Sequence, residues 1–198
     1  VRMHLGKSDT LRNLVKNESS VTQEGFSRWL AMQEACGLPM EGEVLAETFL
    51  TEDGKRALVV HLVAGRRVNE ALARALAWRM DALDWRATDL GFALLSARGW
   101  RPSPAWVEKL LAHPIEPELR EALAKSEILK RRFRHVATRA LLLLKRPDVP
   151  LSQRQREANG LLHRLTADPS PHPVLEEAWH EALHDAVDLH GAEAWRAK

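Results

Sequence analysis

Between Arg120 and Arg146 the positive charges are Arg120, Lys125, Lys130, Arg131, Arg132, Arg134, Arg139, Lys145 and Arg146, opposed locally only by Glu121 and Glu127. Cations packed that densely repel one another unless an anion lies nearby, so the chemistry they suit is phosphate binding. The same segment is strongly apolar at helical spacing. Ile128, Leu129, Phe133, Val136, Ala137, Ala140, Leu141 and Leu144 form one stripe, while Arg131, Arg134, His135, Thr138 and Arg139 fall mostly on the other side. A helix over 127–144 is expected, its apolar stripe in a core and its basic face toward a nucleic acid. The plainer alternative for a charge run is a solvated helix face.

Other residues carry weaker chemical signals. Gly65-Arg66-Arg67-Val68-Asn69 follows a strand-like run and opens a helix, so its backbone N–H groups and arginines could hold an anion at the positive end of the helix dipole. Trp100 and Arg101 lie in Gly99-Trp100-Arg101-Pro102, a turn where an indole could stack on an unpaired base. Gly6-Lys7-Ser8 ends like a phosphate-binding loop but lacks the earlier glycine and preceding strand. His180-Glu181-Ala182-Leu183-His184 matches the HExxH zinc signature, which makes His180 and His184 weak metal candidates and a zinc hydrolase a remote alternative. Val187 occupies the position where the extended form of that motif breaks its helix with glycine. On an unbroken helix His190 points away, and Gly191 reads as the residue that ends the helix.

The elements that must position these groups follow from patterning. Val44 to Leu50 and Arg56 to Val63 read as strands joined at Asp53-Gly54, and Leu90 to Ser96 as a third strand. Ala71, Leu72, Ala75, Leu76 and Met80 mark an alanine-rich helix. After Pro102 the pattern is helical over 105–111, 118–124, 127–144, 151–166 and 174–190, punctuated by prolines. Trp29, Trp78, Trp85, Trp106, Trp179 and Trp195 fall mostly on helical stripes and read as core. The expected fold class is α+β, mainly helical: a small antiparallel or mixed sheet followed by and packed against a helical bundle. Residues 1–40 form an N-terminal helical segment and 41–198 the domain proper.

Composition narrows the function classes. The chain has 198 residues, 45% of them hydrophobic, and a net charge of +2 that hides a basic middle between acidic stretches. Cys36 is the sole cysteine, which excludes an intrachain disulfide and a cysteine zinc site and fits a reducing, cytoplasmic setting. No run approaches the ~20 apolar residues of a membrane span, so no membrane partner is expected. A start at Val1 reads as a piece of a longer protein.

Val60 to Ala77, then Asp89-Leu90-Gly91-Phe92, then Arg131-Arg132-Phe133-Arg134-His135-Val136-Ala137-Thr138-Arg139 resemble, in that order, the C-terminal region of Lhr-type helicases, large DExH-box proteins of superfamily 2. The likeness extends from about Val44 through the Pro173-Val174-Leu175-Glu176-Glu177-Ala178 helix. It implies a module that follows the motor and winged-helix domains and helps to hold the tracking strand, in an ATP-dependent 3′-to-5′ helicase with roles in DNA repair. ATP and Mg would belong to the motor domains, on the same or a companion chain. Neither a complete P-loop nor a DExH sequence is present, so this chain alone is expected neither to hydrolyse ATP nor to unwind, and to need no cofactor. The implied partner is single-stranded DNA or a DNA/RNA hybrid. Expected contacts are Arg66, Arg67, Asn69, Trp100, Arg101, Arg131, Arg134, His135 and Arg139. The alternative is a domain that braces a motor or binds a protein.

Overall fold

The computed structural model describes residues 44–96, 112–144 and 147–196, together with helical positions 24, 25, 27, 28 and 31. Trp100, Arg101, Lys145, Arg146, the Gly6-Lys7-Ser8 stretch and the expected helix over 105–111 lie outside the described residues.

Strands β1 (Leu45–Leu50) and β2 (Arg56–His61) form the hairpin that Asp53-Gly54 dictates. Gly54 takes φ 75°, and the loop closes through Thr51 N–H to the Lys55 carbonyl at 2.8 Å. Helix α1 (Arg66–Arg79) follows, then β3 (Asp84–Thr88) and β4 (Gly91–Ser96). All pairings are antiparallel, in the order β1-β2-β4-β3. Strand β3 departs from the sequence reading, which put Trp85 on a helical stripe. Only Trp85 and Ala87 of Asp84-Trp85-Arg86-Ala87-Thr88 turn inward, and so short a polar edge strand carries little hydrophobic signal. Gly91 is the one residue type that fits its place. It sits at φ 151°, and a Cβ there would lie 2.2 Å from the Val60 carbonyl oxygen of the neighbouring strand.

Alanine spacing on α1 lets the helix lie close on the sheet, with Ala71, Leu72, Ala75 and Leu76 inaccessible to solvent. Beyond the sheet come α2 (Glu116–Ala124), α3 (Glu127–Arg139), α4 (Leu151–Ala167), α5 (Pro173–His180), a π-helical turn (Glu181–Ala186) and α6 (Leu189–Arg196). Ile115 just before α2, Leu119 and Leu123 of α2, and Leu129, Phe133, Val136 and Ala137 of α3 are buried, and one continuous cluster joins them to Leu58, Val60, Phe92 and Leu94 of the sheet. The fold is α+β and mainly helical.

Two helix ends differ from expectation. Helix α3 stops at Arg139 rather than continuing to Leu144. Leu141 turns left-handed at φ 59°, and the N–H groups of Leu141 and Leu142 return to the carbonyls of Thr138 and Ala137. That arrangement usually recruits glycine, so a run of four leucines conceals it. The last expected helix is broken as well. Val187 adopts φ −118°, ψ 177°, and Asp188 starts α6 by accepting the Gly191 N–H at 2.8 Å. Gly191 therefore lies inside α6 and does not terminate a helix. A Cβ there would meet Val68 Cγ2 at 2.9 Å, so the glycine admits α1 to close contact.

Candidate nucleic-acid interface

Ser126 starts α3 by accepting the Ile128 N–H at 3.2 Å, and the apolar stripe then buries Phe133 completely. With that face fixed, the C-terminal half of α3 presents Arg132, Arg134, His135, Thr138 and Arg139 to a groove of about 710 Å³. Helix α4 supplies Leu151, Arg154, Gln155 and Glu157 to the opposite wall, the π-helical turn supplies Glu181 and Asp185, and the segment after α3 supplies Leu143 and Leu144. Arginines outnumber carboxylates four to three. Arg134, His135 and Arg139 of the expected contacts are thus brought together, and Arg131 stands exposed on the same helix.

The charge imbalance seen in sequence is answered partly by neighbours along the helices and partly by Glu181, which is distant in sequence. Arg120 pairs with Glu116 at 2.8 Å and lies over Trp179; Lys130 pairs with Glu127 at 2.7 Å; Lys125 stacks on Trp78 at 4.3 Å. Arg139 and Arg132 both meet Glu181, the latter at 3.6 Å. Arg131 and Arg134 form no ion pair among the described residues. Arg134 is felt at a distance: a hydrogen bond and charge from Lys130, and a smaller contribution from Arg134, hold the Glu127 carboxyl below its ordinary pKa. The Nε atoms of Arg132 and Arg154 are buried without a hydrogen-bond partner in the protein.

The strand-to-helix turn does other work. Arg66 is exposed, but its N–H donates to Asp89 Oδ1 at 3.0 Å, so the positive end of α1 already holds a carboxylate and is not an open anion seat. Arg67 donates from its guanidinium to the carbonyls of His184 and Val187 and clamps the break before α6. Asn69 is fully buried. Its Nδ2 donates to the carbonyls of Leu62 and Thr88, both at 2.8 Å, tying α1 to the strand ends. Expected as a nucleic-acid contact, Asn69 is sealed from any ligand and belongs to the scaffold.

The HExxH residues also part company. The rings of His180 and His184 lie 4.8 Å apart, but Glu181 is turned into the groove against Arg132 and Arg139 and is not disposed as a general base beside a metal. Among the described residues no group of three metal-ligating side chains converges.

Sequence reasoning missed Arg154, Leu151 and Glu181 as groove residues. Each is distant in sequence from Arg134, and only packing of α4 and the π-helical turn against α3 unites them. The one local hint was the alternation Gln153-Arg154-Gln155-Arg156.

A family model described as DEAD/H associated matches residues 38–198. The chain belongs to the DEAD/H associated family. Its relatives are Lhr-type helicases. Over 161 residues, 78% of this chain, it is 35% identical to the ATP-dependent helicase Lhr-Core of Methanocaldococcus jannaschii, and 33% identical over 168 residues to the Lhr helicase/uracil glycosylase of Escherichia coli. It spans 19% and 10% of those proteins. The Mycobacterium smegmatis helicase Lhr, whose structure was solved with ssDNA and AMP-PNP, superposes with a TM-score of 0.72 at 25% identity over 91% of this chain and 24% of that one. The DEAD/H associated domain described here is therefore a helicase-associated fold. No helix among its described residues is long and apolar enough to cross a membrane.

Proposed function

We propose that this domain holds a nucleic-acid strand for an Lhr-type 3′-to-5′ helicase acting in DNA repair, with the groove between α3 and α4 as the contact. The observation that carries the reading is Arg134, a half-buried arginine that forms no ion pair among the described residues, in a groove whose other arginines converge from two helices. Phosphates suit the guanidinium forks, and Leu143, Leu144 and Leu151 give the bases of a single strand an apolar surface. The M. smegmatis relative, bound to ssDNA, supports single-stranded DNA over a hybrid as the partner. The relatives' greater length supports motor domains on the same polypeptide, which would bring ATP and Mg.

Charge reversal of Arg131 and Arg134 in the chain should weaken oligothymidylate binding and flatten its salt dependence by about 0.7 per lost single-strand phosphate contact. Unchanged affinity at low salt overturns the assignment. A second reading, a brace against the motor, draws on the exposure of Leu141, Leu144 and Leu151, at 78%, 70% and 60%. It predicts no salt-dependent oligonucleotide binding at all.

A further inference from the structure

We infer that Glu181 is the groove's resident anion and that strand binding is an exchange in which a phosphate takes Arg139 from it. This rests on the groove being a strand site. Glu181 is the only buried carboxylate among the described residues, 6% exposed. It meets two arginines of unequal freedom. Arg132, whose side chain is 28% exposed, lies 3.6 Å from Oε2, while Arg139, at 62%, donates to Oε1 from the last turn of α3.

A guanidinium offers the same fork to a carboxylate and to a phosphate. Arg139 can therefore swing outward to a phosphate while Arg132 remains on Glu181, and no stage leaves a buried carboxylate without a cation. The seat is anchored from behind. Glu181 opens the π-helical turn, and Arg67 clamps that turn by its His184 carbonyl. With Glu157 and Asp185 also lining the groove, the empty site is close to neutral. The phosphate that takes Arg139 must compete with a built-in acid, which weakens the grip and keeps it reversible, as a sliding strand requires. The glutamate of the HExxH sequence thus acts as a counter-ion and not as a base.

The test is Glu181→Gln in the full chain, titrated with a labelled oligothymidylate across a salt series. Affinity at low salt should rise about 3- to 10-fold while the salt slope stays the same, because the Arg139–phosphate contact forms in both chains and only the competing carboxylate charge is removed. In the wild-type chain, the Glu181 carboxyl carbon and Arg139 Nε–H resonances should shift when the strand is added, a readout that does not depend on the variant folding. Affinity equal to or below wild type in a folded variant overturns the exchange, as do unmoved resonances in a chain that binds. If the wild-type chain binds no oligothymidylate at low salt, the strand-site reading fails and the exchange with it.

Discussion

Replacing Asn69 with alanine separates scaffold from interface. The Asn69 amide nitrogen donates to the Leu62 and Thr88 carbonyls, both at 2.8 Å, in a site closed to solvent. Alanine removes both bonds and leaves two carbonyls at the strand ends without that donor, each a loss of about 1–2 kcal/mol. Asn69 Oδ1 is itself buried without a partner, so its removal returns part of that cost. A net destabilisation of about 2–3 kcal/mol follows, which in a domain of this size lowers Tm by roughly 4–12 °C. Urea titration followed by circular dichroism should show a lower midpoint with an unchanged slope, and thermal melting should agree. Oligonucleotide affinity, measured well below the new Tm, should stay within about twofold because no contact to the strand is lost. Stability within about 0.5 kcal/mol of wild type, together with abolished binding, would refute the assignment of Asn69 to the scaffold.

Gly91→Ala should fail more severely. Its Cβ would meet the Val60 carbonyl at 2.2 Å, and a loss of about 4 kcal/mol or more is expected, read as loss of the cooperative melting transition. The Arg79–Glu118 pair predicts a pH effect. The Arg79 hydrogen bond is the chief cause holding the Glu118 carboxyl below its ordinary value, so this group stabilises the fold above the unfolded glutamate pKa of about 4.3. That contribution is lost as pH falls through the depressed folded value. Glu118→Gln should therefore cost roughly 1 kcal/mol at neutral pH and flatten the decline in stability below about pH 4.3, measured by urea unfolding across pH.

Strong local signals made much of the fold legible. Asp53-Gly54 marked its hairpin, and the apolar stripes of α1 and α3 marked helices, because burial on one face leaves a periodic trace. Strand β3 left none, since an edge strand shows one residue in two to the core and only Trp85 and Ala87 do so here. Where α3 ends was hidden by Leu141 taking a backbone conformation that glycine usually advertises. The break at Val187 carries one local sign, Asp188 capping the next helix, and is held by tertiary contacts that no local pattern encodes, the Arg67 clamp and the Val68 approach to Gly191.

The lining of the groove was legible in part. Arg134, His135 and Arg139 come together in it because they share one helix face. Charge counting erred by considering only nearby sequence: Glu116 and Glu181 neutralise Arg120, Arg132 and Arg139 from outside the interval that seemed to lack acids. Burial, which decides that Asn69 is scaffold, cannot be read from a motif.

The proposed function requires a strand between α3 and α4. The direct measurement is zero-length photo-crosslinking of the chain to a strand carrying 4-thiothymidine, with adducts mapped to peptides. Adducts should concentrate on 131–144 and 151–157. Adducts confined to the β-sheet, with none on these segments, would place the strand elsewhere and overturn the α3–α4 groove as its seat.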